Sequence, residues 1–271
     1  MSETSEILVA VVQCTPGDDR VHNRGTVAAF VAVAAARGAR LVVFPEYMSF
    51  FVHPLGPAFA RNAEPVDGDF VDALAEAARE HDVFVVAGLV EATGEAKRFS
   101  NTLVAVDPAG DVVATYRKQH LYDAFGARES EWVVPGPLED PRVFVVDGIT
   151  VGLQTCYDLR FPEVSRRLAD AGAELVAVPA EWVRGPLKEQ HWRTLLTARA
   201  IENTFYVAAA DHAPPIGVGS SMVVDPMGVA VAAIGESTGV AVAEVSADRV
   251  RSVRELNPAL ALRRYRVVPA G

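Results

Sequence analysis

The chain has 271 residues, half of them hydrophobic, which is enough to bury a large core. Its formal net charge of −10 argues against nucleic acid or an anionic membrane surface as partner, because both need clustered Lys and Arg. Two distant cysteines, Cys14 and Cys156, make no zinc spacing, no CxxC redox pair and no secreted disulfide framework.

Residues 7–13 form a continuous apolar run, as expected for a strand covered on both faces. After a turn at Thr15-Pro16-Gly17, an alanine-rich stretch over 23–37 places Val27, Phe30, Val31 and Ala34 at helical spacing, and Gly38 stops it. Residues 41–44 read as a second buried strand, ending at Pro45-Glu46. This strand–helix–strand order predicts an α/β fold with a parallel or mixed sheet. Residues 50–65, with three prolines and Gly56, read as a loop. A helix is expected over 69–80 and a strand over 83–90. A hairpin-like turn at 94–98 follows, then strands over 101–106 and 112–117 around the turn Asp107-Pro108-Ala109-Gly110. Residues 119–136 show no periodicity, and an irregular loop of that length inside a compact domain points to function.

The second half repeats this logic. The apolar run 144–151 reads as one buried strand leading to Cys156, followed by a helix over 163–171 and a strand over 175–178. A helix over 188–202, a strand over 205–210, a strand pair at 219–224 and 229–234, and a last strand at 240–245 complete it. Each half carries a helix, a strand, a hairpin and an Asp-Pro-x-Gly turn, the second being Asp225-Pro226-Met227-Gly228. That internal similarity predicts two βαβ-type sheets stacked face to face. No low-complexity linker divides the chain, so a single domain over 1–271 is expected. The arginine-rich tail, 250–268, is either a solvated arm or a segment crossing to a partner subunit. The polar N-terminus carries no signal-peptide pattern and no apolar run reaches the ~18 residues of a membrane span, so a soluble cytoplasmic protein is expected.

Three strand ends carry the chemistry. Cys156 sits between a buried strand and a helix, where a helix N-terminus would favour thiolate and expose it to substrate; the competing reading is a small buried apolar residue. Glu46 stands just past another buried strand, where a carboxylate is costly unless paired, although a surface glutamate capping a loop is the plain alternative. Lys118 follows a third strand, where a lone lysine is usually solvated. A cysteine nucleophile needs a base and a positive group to receive the oxyanion, and the three together supply both.

Phe44-Pro45-Glu46, the block from Arg117 to Tyr122, and Cys156-Tyr157-Asp158-Leu159-Arg160-Phe161-Pro162-Glu163 resemble the signature blocks of the nitrilase superfamily of carbon–nitrogen hydrolases. Asn101, the Asp107 turn, Arg199-Ala200-Ile201-Glu202-Asn203 and the block from Gly219 to Gly228 extend the resemblance over nearly the whole chain. It implies a four-layer αββα sandwich of two stacked mixed sheets with pseudo-two-fold similarity, and no metal or organic cofactor. It also implies a Glu-Lys-Cys triad in which Glu46 is the general base, Lys118 the oxyanion stabiliser and Cys156 the nucleophile, with the Tyr157 backbone N–H as second oxyanion donor. A second family glutamate lies in the loop after the lysine; Glu129 matches its position and Glu131 is the rival.

The Cys156–Glu163 block and the chain length resemble the branch of ω-amidases and deaminated-glutathione amidases. The activity implied is hydrolysis of the primary amide of a small carboxylate-bearing metabolite through a thioester, with release of ammonia, by a homodimer. An N-carbamoyl amino acid hydrolase is the alternative within the class, as is a nitrilase, although nitrilases usually have tryptophan beside the cysteine where this chain has Tyr157. From another class comes an inactive interaction protein on the same fold. Trp182, at a strand end, is expected to wall the pocket, and Asp158 and Arg160 to form a buried ion pair. His120 is expected to support its loop, His191 and Trp192 to pack, and Cys14 to be inert core. Arg128 and Arg184 are candidate anchors for a substrate carboxylate by loop position.

Overall fold

The computed structural model describes residues 5–269. The first half contains β1 (Glu6–Gln13), α1 (Arg20–Ala35), β2 (Leu41–Val43), α2 (Pro57–Arg61), α3 (Asp69–His81), β3 (Phe84–Ala92), β4 (Phe99–Val106) and β5 (Val112–Arg117). The second contains β6 (Val143–Val146), β7 (Ile149–Leu153), α4 (Pro162–Asp170), β8 (Leu175–Ala180), α5 (Lys188–Asn203), β9 (Tyr206–Asp211), β10 (Met222–Val224), β11 (Ala230–Ala233), β12 (Gly239–Ser246) and α6 (Ala247–Leu256).

These strands make two six-stranded sheets, β12-β1-β2-β3-β4-β5 and β6-β7-β8-β9-β10-β11. Read in those directions, each sheet pairs its neighbours antiparallel, parallel, parallel, antiparallel, antiparallel. The internal similarity expected from the sequence is therefore a repeat of sheet topology. Alternation along β1 shows how the layers form. Val9 and Val11 point to the core between the sheets, with Val43, Val151 and Ala208, while Ala10 and Val12 pack beneath α1 and α3 against Val31 and Leu74. On the far side, Trp192, Leu196 and Leu168 of α5 and α4 cover Val176, Val178 and Val207. Central strands so enclosed are apolar on both faces, which is why they read as continuous runs rather than alternating ones.

Three expectations change. The run 144–151 is a hairpin, with β6 and β7 joined at Asp147-Gly148, both at positive φ (45° and 89°). An Asp-Gly pair accepts that two-residue turn, and its short length hid it inside an apolar stretch. The 50–65 loop contains α2, whose Phe59 is fully buried and stacks on Phe99 at 5.2 Å, within an aromatic cluster that includes Tyr47, Phe50 and Phe51. The start of the basic tail is α6, which buries Val250 and Val253 against its own chain. The candidate arm is thereby shortened to residues 257–269, and residues 270–271 lie outside the described residues. No helix among the described residues is long and apolar enough to cross a membrane.

Candidate active site

Glu46, Lys118 and Cys156 follow β2, β5 and β7, and the sandwich brings all three to one end. β2 and β8 are central strands of opposite sheets. Their ends meet, since the Glu46 N–H donates to the Ala180 carbonyl at 3.5 Å and the Glu181 N–H donates to Glu46 Oε2 at 2.6 Å. Glu46 Oε1 accepts from Asn101 Nδ2 at 2.5 Å and Lys118 Nζ at 3.0 Å. Its backbone carbonyl accepts from His212 Nε2 at 2.7 Å. A buried carboxylate held by this many donors is fixed in position and orientation. The approach of β3 is also close. Gly88 lies against the Glu46–Tyr47 backbone, and a Cβ there would stand 2.7 Å from Glu46 Cα.

Lys118 Nζ bridges Glu46 and Glu129, each at 3.0 Å. Burial alone would depress the ammonium, but Glu129 and Glu46 outweigh it and hold its pKa well above the usual lysine range. Glu129 Oε1 further accepts from the Tyr47 hydroxyl at 2.7 Å, and its Oε2 accepts from the Tyr122 N–H at 2.5 Å. Glu129 is thus inside the network. Glu131, its rival, is half exposed and faces Arg128 at 3.7 Å. The long segment 119–136 is an irregular loop with a 3₁₀ turn at Glu129–Glu131, closed at its base where Gly136 N–H donates to the Lys118 carbonyl at 2.7 Å.

Cys156 opens a 3₁₀ turn, Cys156–Arg160, with φ +44°, a strained value for a residue with a Cβ. Thr155 and Asp158 cap that turn. The thiol is 7% exposed and donates to the Glu181 carbonyl at 3.5 Å. Burial first, and then the Glu46 charge, push the thiol above its usual pKa, with Lys118 opposing them, against the pull towards thiolate expected of a helix N-terminus.

The expected Asp158–Arg160 ion pair does not form. Asp158 instead accepts from the Thr155 N–H at 3.3 Å, the Tyr116 hydroxyl at 2.7 Å and the His120 N–H at 3.1 Å, and its Oδ1 lies 2.8 Å from His120 Nδ1. It therefore ties the lysine loop to the cysteine turn, with His120 stacked on Phe161 at 3.8 Å. His120 has the loop-supporting place expected of it. Cys14 lies in the core with its thiol pushed up to about 12 by burial, and Trp192 is fully buried.

A cavity of about 360 Å³ opens onto Cys156, within the usual size of a small-molecule site. Trp182 and Tyr157 line it as expected, and Tyr122, Arg160, Lys188 and Glu181 line it as well. Arg160 stands over the Trp182 ring at 4.7 Å, and Lys188 Nζ donates to the Tyr122 hydroxyl at 2.7 Å while lying 4.0 Å from the Phe125 ring centre. Neither cation has a carboxylate partner among the described residues, and burial followed by Arg160 holds the Lys188 pKa below its usual value. Of the two anchors expected, Arg128 lines the cavity but is largely exposed, and Arg184 pairs outside it with Glu189 and Glu236. A signal for Glu181 exists in the sequence. Glu181 directly follows β8, as Glu46 comes shortly after β2, and these two strands hold corresponding places in the two sheets.

This fold and this meeting of a cysteine, a lysine and two glutamates define a class. A model of the carbon–nitrogen hydrolase family matches residues 8–255, and the chain belongs to that family. It is 40% identical over 259 residues to deaminated glutathione amidase of Escherichia coli O157:H7, covering 96% of this chain and 98% of that one. Among solved structures, the Caenorhabditis elegans NitFhit protein matches with a TM-score of 0.87 and 32% identity over 96% of this chain; the match spans 66% of NitFhit. A mutant of the amidase from Nesterenkonia sp. AN1, showing covalent addition of the acetamide moiety of fluoroacetamide at its active-site cysteine, matches with a TM-score of 0.80 and 28% identity, over 97% of this chain and 95% of that one.

Proposed function

We propose that the chain is an amidase that releases ammonia from the primary amide of a small carboxylate-bearing metabolite through a thioester on Cys156. The observation that carries this reading is the Glu46 carboxylate, held by Lys118, Asn101 and the Glu181 N–H, facing the same cavity as the Cys156 thiol. In this mechanism Glu46 takes the thiol proton as Cys156 attacks the amide carbon. Lys118 and the Tyr157 N–H receive the oxyanion, and protonated Glu46 returns the proton to the departing nitrogen. Glu46 then activates water, which hydrolyses the thioester. Glu129 keeps Lys118 oriented. The covalent cysteine adduct of the Nesterenkonia amidase and the activity named for the Escherichia coli relative support both the nucleophile and the substrate class. The unpaired cations Arg160 and Lys188 support a negative acyl half.

The test is an ammonia-release panel of deaminated glutathione, α-ketoglutaramate, glutamine, carbamoyl amino acids and simple nitriles. Carboxylate-bearing primary amides are expected to turn over, with loss to background in Cys156→Ala. Activity surviving that substitution would sink the mechanism, and release from nitriles but not amides would sink the substrate class. We also infer a homodimer, because the 257–269 tail leaves Leu262, Tyr265 and Val268 more than two-thirds exposed, an apolar set that a second copy would cover. Light scattering should give the mass of two chains; the mass of one would contradict it.

A further inference from the structure

Lys188 holds a positive charge where three effects oppose it. It is the first residue of α5, the end at which the helix dipole is already positive. The residue is only 5% exposed, and burial, then the Arg160 charge, disfavour its ammonium. Among the described residues the ammonium has one hydrogen-bond partner, the neutral Tyr122 hydroxyl at 2.7 Å. Buried charges are normally paired, and an anion here would relieve all three effects together.

The head group lies among rings that line the cavity. Nζ is 4.8 Å from the centre of the Tyr122 ring and 5.8 Å from that of Trp182, both lining residues, as is Lys188 itself. Phe125, held at positive φ beside Gly126, lays its ring 4.0 Å from Nζ. The Trp182 indole N–H donates to the Lys188 carbonyl at 3.0 Å and fixes the backbone from which the side chain reaches. An ammonium has three donors, so two remain. The Tyr122 oxygen accepts from Lys188, which leaves its own O–H to donate, and the described residues offer that proton no acceptor. Two adjacent donors of this kind match the two oxygens of a carboxylate. Tyr122 is also tied to the reacting end. Its N–H donates to Glu129 Oε2 at 2.5 Å, and its ring meets that of Tyr157, the neighbour of Cys156, edge-on at 5.0 Å. Arg160 adds positive potential from its place over Trp182, 4.7 Å from the ring centre.

We propose that Lys188 and Tyr122 form a clamp for the carboxylate of the substrate's acyl half, the ammonium donating to one oxygen and the phenol to the other. The clamp makes the site prefer charged over neutral amides, because a methyl group in the carboxylate's place leaves the buried ammonium unpaired. This specificity role rests on the amidase reading above.

The test compares glutaramate with pentanamide, which carries a methyl group where glutaramate carries its carboxylate. Lys188→Met keeps an unbranched apolar chain among the rings and removes the charge. It is expected to lower the glutaramate-to-pentanamide ratio of kcat/KM by roughly 50-fold, the scale of one charge-assisted hydrogen bond. Tyr122→Phe, which removes a neutral donor, should lower the ratio by about 5-fold. The same ratio is read as affinities by calorimetry in the Cys156→Ala background, and circular dichroism checks that each variant is folded. A ratio within about twofold of wild type in either folded variant, less than a hydrogen bond contributes, would overturn the clamp. A wild-type protein that turns over both amides equally would overturn the carboxylate-bearing substrate class, and the clamp with it. One that releases ammonia from no amide would sink the amidase reading, while the calorimetric ratio would still decide the clamp.

Discussion

Glu46→Gln is expected to lower kcat/KM for the amide by about 10⁴-fold while the protein still folds. General acid–base groups contribute about 10²–10⁴-fold, and in the proposed mechanism one group serves thiol deprotonation, proton return and water activation. The thiol gives the substitution its force, because burial and the Glu46 charge push the Cys156 thiol up, so the proposed attack leans on a base to take its proton. A glutamine amide also fits poorly. Its oxygen suits either Lys118 and Asn101 on one side or the Glu181 N–H on the other, and whichever it chooses, its NH₂ meets a donor. That clash should lower unfolding stability by about 2 kcal/mol, measured by urea denaturation. Lys118 keeps Glu129 as a partner, so the loop should stay closed. Residual activity within tenfold of wild type would show that another base takes the thiol proton.

Gly88→Ala should cripple the enzyme without touching a reacting group. The added methyl would lie 2.7 Å from Glu46 C and Cα, and closer still to Tyr47 N, all of them backbone atoms that cannot rotate aside. Either β3 or the Glu46–Tyr47 segment must shift by several tenths of an ångström. β3 is clamped between β2 and β4, so the displacement falls on the catalytic segment. A misplacement approaching 1 Å is worth about 10²-fold in rate, and overpacking of this kind costs about 1–3 kcal/mol of stability. We expect a loss of roughly 50-fold in kcat with KM changed much less, together with a lower unfolding midpoint. Wild-type kcat in a folded Gly88→Ala protein would show that Glu46 tolerates the movement.

The strand ends were legible because burial makes them so. Val42-Val43-Phe44 can only be enclosed, and a glutamate two residues later must then be paired or solvated. Lys118 follows a strand whose own residues are partly exposed, so its burial depends on a loop that folds back over it, which no local pattern announces. Arg160 was misread because a nearby acid in the sequence, Asp158, resembles an ion-pair partner; the 3₁₀ turn sends the two side chains to different sides, one to His120 and one to Trp182. Lys188 opens α5 and reads as an ordinary helix-end lysine until Phe125, from a loop 63 residues earlier, closes over it. Asp147-Gly148 carried a turn signal that the surrounding valines outweighed.

The sheet repeat has a consequence for how the protein acquires reactivity as it is made. Glu46 and Lys118 come from the first sheet, Cys156 from the second, and Asp158 laces the two together. A nascent chain released as far as β5 would carry a base and a cation with no nucleophile, and a second half alone would carry a thiol with no base. The base, cation and nucleophile of the proposed mechanism are thus assembled by the packing of the two sheets, and neither sheet holds all three.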